Sequence, residues 1–318
     1  MPCETTSKTF IALGTMNTIQ IYGSGNHRAV ELAAQRVCEI SGRMSVYREG
    51  SDIYKLNIKA GTGPQKMHAD TLYLLGLARK YSQLTAATFD VTAGPLTTLW
   101  SIGKKGNYLP SAQEINKALG YTGYEGLLVY PEQSAAELKK PGMAVDLGGI
   151  AKGYAGDEVR RILAKNGVQS ALANLGGNIV AVGLKPDGSP WRVGVQNPLR
   201  PRCESLFTLQ CSDCSVVTSG VNERFFIREG RRWHHIIDPR TGAPAQSGLL
   251  SVTVVCPSGT HADALSTALF VLGLKKHSDF GSLLLANAGA EAAYVTEKLE
   301  VLLTPGLSGQ ISMKGGVI

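Results

Sequence analysis

Apolar and polar positions alternate from Phe10 to Tyr22, which predicts a strand. From Ala29 to Ile40 the apolar spacing becomes that of an amphipathic helix, and "ADTLYLLGLARKYSQLT" repeats the pattern. "AQEINKALG" predicts a third, short helix with Gly120 as its C-cap. "GLLVY" and "GMAVDLGG" read as strands, the second running into a glycine turn, and "GYAGDEVRRILAKNG" as an amphipathic helix that stops at Gly167. The segments "SALANLGGNIVAVG", "WRVGVQNP", "SLFTLQ", "SVVTSG" and "LLSVTVVCP" read as strands, and "RFFIREGRRWHHIIDP" as a hairpin. "THADALSTALFVLG" is a helix, and "GSLLLANAGAEAAYVTEKLEVLLTP" runs from helix to strand. The tail "GLSGQISMKGGVI" is weakly patterned. Hairpins predominate late in the chain. The expected class is therefore α+β, with mixed, largely antiparallel sheets and flanking helices, rather than a doubly wound parallel fold.

The 318 residues suit one module, with a lobe boundary expected in the polar stretch near residues 130–142. No run of about twenty apolar residues predicts a membrane span. The start, "MPCETTSKTFIALGT", lacks the basic and apolar regions of a signal peptide. The formal net charge of +7 is scattered, apart from "LRPR" and "IREGRRWHH", and reads as a solvated basic surface or an attraction for an anionic ligand such as a nucleotide. There is no basic stripe interleaved with aromatics, so nucleic acid is not the expected partner. Six cysteines include a zinc-like "CSDC", but no second CxxC or HxxxH completes a site. Unpatterned cysteines fit a reducing compartment.

Three stretches carry candidate chemistry. In "VDLGGIAKGYAGDEV", Lys152 is followed by glycine where a Walker A loop needs serine or threonine, and the glycine spacing fits no dinucleotide fingerprint. Gly148 and Gly149 still allow a ligand close to the backbone, and the helix start after them offers free N–H groups to an anion. Lys152 adds positive charge, and Asp146 can accept from a ribose hydroxyl or a base amine. A tight turn with a surface lysine accounts for the same residues. In "HADALSTALF", Asp263 and Thr267 are four apart and share a helix face as hard oxygen ligands suited to magnesium. A capping acid above a polar stripe is the plainer account. In "HHIIDPRTGAP", two adjacent histidines on a strand face opposite sides. One can act as a general base in a cleft, or both can be structural.

Taken in order, "LGTMNTIQIY", "MSVYREGSDIYKLN", "TFDVTAGPLTTLW", "VDLGGIAKGYAGDEV", "NLGGNIVAVG", "WRVGVQNP", "SVVTSG", "HHIIDPRTGAP" and "ADALSTALFVLG" resemble the FAD:protein FMN transferases, the ApbE family. The likeness covers nearly the whole chain. It implies two lobes with the active site in the cleft between them. It also implies an enzyme that binds FAD with Mg2+ and cleaves the FAD pyrophosphate. FMN is then joined by a phosphoester to a threonine or serine of a target flavoprotein, releasing AMP. By the same resemblance Met16, Tyr47, Thr88, Phe89, Asp90, Asp146, Lys152 and Ile237 match flavin-nucleotide contacts. The Gly149 carbonyl, Asp263 and Thr267 match metal ligands, with Ser266 beside them, and His235 matches the active-site histidine. His235 is the expected base and Asp263 the alternative. Many members carry a lipoprotein anchor. Here Cys3 has no apolar lipobox before it, so a cytoplasmic form is expected, or an exported or lipid-anchored one if the N-terminus was trimmed. An FAD pyrophosphatase giving FMN and AMP, and a non-catalytic flavin-binding protein, are the alternative readings.

Overall fold

The computed structural model describes residues 4–23, 26–104, 106–201, 204–274 and 279–313; Cys3 and Cys203 lie outside them. Among the described residues there are eight α-helices: α1 (His27–Arg43), α2 (Asp52–Ile58), α3 (Ala69–Leu84), α4 (Gly94–Trp100), α5 (Ala112–Leu119), α6 (Ala151–Lys165), α7 (Gly259–Leu272) and α8 (Phe280–Ala288). An eight-stranded sheet runs in the order Thr5–Ala12, Thr15–Tyr22, Ala171–Leu175, Asn178–Val182, Ser215–Gly220, Leu249–Cys256, Glu291–Thr296, Val301–Leu303. Every neighbouring pair in it is antiparallel. The α+β expectation therefore holds.

Helices α1, α6 and α7 form a layer against this sheet. The layer exists because each helix has a small or apolar face: Ala29, Val30, Ala33, Ala34 and Val37 on α1, and Ala151, Ala155, Val159 and Leu163 on α6, are buried. Helix α7 is buried nearly all round, from Gly259 to Val271. Where α6 crosses α7, a Cβ on Gly153 would overlap the Gly259 carbonyl and lie 2.8 Å from Asp263 Cβ. Only glycine permits that approach.

A second, smaller core gathers Leu96, Trp100, Ile102, Ala118, Phe226 and Ile237. Trp100 fastens it by donating Nε1–H to the Gly242 carbonyl at 2.7 Å and stacking on Trp233. Helix α4 sends Leu96 and Trp100 into this core, while Thr97 donates from Oγ1 to Asp146 Oδ2 at 3.1 Å. The glycine loop thus lies between the two cores.

Several elements differ from the pattern. Phe10–Tyr22 is not one strand but parts of two, joined by a turn with φ of 54° at Leu13 and 70° at Gly14. The buried positions pass from Ala12 to Asn17, Ile19 and Ile21, an even-to-odd switch that marks such a turn. "GMAVDLGG" is not a regular strand. Asn57 grips it instead, donating to the Val145 carbonyl at 3.0 Å and accepting from the Val145 N–H at 2.8 Å. Gly120 caps α5 with right-handed φ, so its freedom as a glycine is not used there. Helices α2 and α4 are too short to show a clear period. Residues 130–142 include the turn and second strand of a hairpin, Leu127–Tyr130 with Ala135–Leu138. The weak tail adds the strand Ile311–Met313 beside Ser205–Cys211.

Candidate active site

The first turn of α6 is the centre of the site. Asp146 accepts from the Gly148 N–H at 2.8 Å, which closes the loop that precedes the helix. Lys152 Nζ folds back onto the Gly148 carbonyl at 3.0 Å and lies 3.6 Å from Asp263 Oδ1. The Gly153 N–H, one of the donors that a helix start leaves without an intrahelical partner, goes to Asp263 Oδ2 at 2.9 Å. Asp263 is only 3% exposed. Its position depends on α7, whose N-terminus is held by one residue of α6. The Asp157 carboxylate accepts from Ser258 Oγ at 2.8 Å, Gly259 N at 2.6 Å, and Thr260 N and Oγ1 at 2.9 and 2.6 Å. These orphan donors of a helix start take an anionic cap. The sequence reading missed Asp157, whose partners on α7 lie about a hundred positions further along the chain.

Gly149 faces Phe89 and Thr267: a Cβ there would lie 3.2 Å from the Phe89 ring and 3.4 Å from Thr267 Oγ1. Ser219, also missed, reaches in from the sheet, 2.9 Å from Ser266 Oγ and 3.3 Å from Thr267 Oγ1. Asp146, Gly149, Lys152, Asp263, Ser266, Thr267 and Phe89 are thus brought together. Thr88 and Asp90 use their side chains internally. Thr88 Oγ1 donates to the Thr85 carbonyl, and Asp90 accepts from Thr92 N, Thr92 Oγ1 and Tyr124 N. Burial raises the Asp90 carboxyl against those bonds. Met16 and Tyr47 are exposed at 67% and 75%, with Lys104 against the Tyr47 ring. Ile237 belongs to the small core.

The two histidines do face different surroundings. His234 is buried, its Nε2 3.0 Å from the Ala245 carbonyl and its ring edge-on to Phe270. Since a carbonyl only accepts, Nε2 carries the proton. His235 is half-buried and continues the hairpin by donating its N–H to the Arg224 carbonyl. Burial, then the charges of His234, Arg224 and Lys152, push its pKa down to about 4. The positive charge of Lys152 is the smallest of these causes.

The oxygens here suit a hard cation. Asp263 is a buried carboxylate whose cationic neighbour Lys152 stands at 3.6 Å, beyond close pairing, and Thr267 Oγ1 lies across from Gly149. No group of three His, Cys, Asp or Glu residues gathers among the described residues, so a cation here would depend on hydroxyl and carbonyl oxygens. Cys211 and Cys214 of "CSDC" are buried free thiols.

A family model described as the ApbE family matches residues 13–289. The chain belongs to the ApbE family. It is 34% identical over 278 residues to an FAD:protein FMN transferase of Klebsiella pneumoniae, covering 86% of this chain and 85% of that protein. A second, from Treponema pallidum, is 32% identical over 322 residues, covering 96% and 88%. The crystal structure of an ApbE protein from Thermotoga maritima superposes with a TM-score of 0.85 at 32% identity, over 96% of this chain and 99% of that one. The flavin transferase ApbE from Vibrio cholerae gives 0.83 at 27%, with the same coverage. The expected enzyme class, a transferase, is that of these named relatives. No helix among the described residues is long and apolar enough to cross a membrane.

Proposed function

We propose that this protein is a magnesium-dependent FAD:protein FMN transferase that moves FMN from FAD to a threonine or serine of a target flavoprotein and releases AMP. The carrying observation is the meeting of Asp263, Thr267, Gly149 and Lys152 at the first turn of α6. Asp263, Thr267 and the Gly149 carbonyl would hold Mg2+, which when bound neutralises charge on the phosphates. Lys152 favours the pyrophosphate and the negative charge that grows on the leaving AMP. Asp146 and Phe89, which stand beside the glycine loop, would orient the nucleotide.

The acceptor hydroxyl oxygen forms a bond to the FMN phosphorus as the bridging P–O bond breaks, and AMP leaves with that oxygen. The hydroxyl is a poor nucleophile until its proton is removed. His235 is the assigned base. It is neutral at neutral pH; burial is the largest cause of its lowered pKa, and phosphates beside Lys152 would offset only the smaller contribution of the positive charges.

Asp263→Ala tests the reading. Wild type and variant are incubated with FAD, limiting Mg2+ and an acceptor domain, and labelling is read by in-gel flavin fluorescence. Labelling should fall at least about a hundredfold in the variant. Wild-type labelling by Asp263→Ala would sink the metal assignment. Release of FMN and AMP without labelling would make the protein a pyrophosphatase, and FAD binding without turnover would make it a carrier.

A further inference from the structure

The hydroxyls around Thr267 admit only one arrangement of protons. Ser266 Oγ lies 3.0 Å from the Asp263 backbone carbonyl, an oxygen that only accepts, so Ser266 gives its single proton there. Ser219 Oγ lies 2.9 Å from Ser266 Oγ, and with the Ser266 proton committed, Ser219 is the donor in that contact. Thr267 Oγ1 lies 3.3 Å from Ser219 Oγ, whose own proton is now also committed, so Thr267 must donate. The chain therefore runs from Thr267 to Ser219, to Ser266, to the Asp263 carbonyl. Any reversed step breaks at least one of the three bonds.

We propose that Ser219 and Ser266 are positioning residues that hold the Thr267 proton toward the sheet, so that Thr267 Oγ1 offers only lone pairs to the cation site. The inference rests on the metal reading given above. A hydroxyl that rotates freely turns its positive end toward a cation part of the time; one whose proton is tied back does not. The freed lone pairs have somewhere to face, because the Gly149 loop stands across from this oxygen. Ser266, matched to the metal ligands by resemblance, is here an anchor instead. It is fully buried, with its hydroxyl between the Asp263 carbonyl and Ser219. Such outer partners orient a ligand without touching the ion.

Two measurements test this. A neutron structure of the deuterated, metal-free protein should show the Thr267 deuteron directed at Ser219 and the Ser219 deuteron at Ser266. Mn2+ binding is then measured by electron paramagnetic resonance on wild type, Ser219→Ala, Ser219→Thr, Thr267→Val, the Ser219→Ala/Thr267→Val double variant and Asp263→Ala, each checked for an unchanged urea midpoint. Ser219→Ala should weaken Mn2+ binding by about 10- to 100-fold. Ser219→Thr, which keeps the hydroxyl, should stay near wild type. In the Thr267→Val background, loss of Ser219 should add nothing, because its effect passes through the Thr267 hydroxyl. Additive losses, or a Ser219 deuteron aimed at Thr267, overturn the proposal. If Thr267→Val and Asp263→Ala lose binding while Ser219→Ala does not, the relay fails and the metal site stands. If wild type does not bind Mn2+, both fail.

Discussion

Two adjacent histidines meet different surroundings. His234 is tied to Ala245 and packed against Phe270, whereas His235 lies within the field of Lys152. His235→Asn should lower FMN transfer by about 10²–10⁴-fold at saturating FAD and Mg2+, the usual cost of losing a general base. His234→Asn should reduce stability and leave most of the rate per folded molecule. Loss of rate in the His234 variant alone would show that the hairpin presents its other face. If neither loses more than a few-fold, the proton goes elsewhere. The residue-scale signals in the sequence were uneven. Asp263 and Thr267 share a face at any helical spacing of four, so that pairing was legible. Asp157 and Ser219 were not, because their partners Thr260 and Thr267 are 103 and 48 positions away.

At the scale of elements, the crossing of α6 on α7 places the site. Gly153 gives its N–H to Asp263 and leaves room for the Gly259 carbonyl. Gly153→Ala should therefore act twice. The added methyl should cost about 1–3 kcal/mol in a urea titration, as overpacking does. It should also move Asp263 off the Gly153 N–H and lower transfer well beyond the loss of folded protein. Gly188→Ala is a useful contrast: its φ of 79° strains the backbone, but nothing lies within 4 Å of the added Cβ and it belongs to none of the candidate site segments. Equal loss of transfer in the two folded variants would mean that the helix crossing does not set the site. The short elements were the ones hidden from sequence patterning. Helices α2 and α4 are each seven residues, under two full turns, and their caps and tertiary contacts define them.

Over the whole molecule, one buried and two half-buried histidines make stability depend on pH. Burial pushes His234 and His235 down to about 4 and lowers His261 as well. Unfolded histidine titrates near 6.5. Between about 4 and 6.5 the unfolded chain binds protons that the folded chain excludes, so stability is full above that window and is lost as pH falls through it. The urea midpoint should drop between pH 7 and pH 5, and a His234→Asn/His235→Asn double variant should show a flatter profile. An unaltered slope in that variant would assign the acid sensitivity to other groups.

The sequence alone determined the class of fold and most of the long elements, because helical and strand periodicities are local and survive without the rest of the chain. It also placed Asp263 on the same helix face as Thr267, and the glycines before Lys152 at a helix start. The tertiary structure decided what those placements meant. The Phe10–Tyr22 alternation became a hairpin because Leu13 and Gly14 take left-handed φ. "GMAVDLGG" stayed irregular because Asn57, far away in sequence, supplies its hydrogen bonds. The Thr88 and Asp90 side chains bond to their own turn, Asp90 also accepting from the Tyr124 N–H, and Ser219 comes from the sheet to meet Thr267. The Asn57 and Ser219 contacts join distant residues, the Leu13 and Gly14 angles are selected by packing, and the Thr88 and Asp90 bonds are side-chain choices within a turn; none of them leaves a periodic trace in the chain.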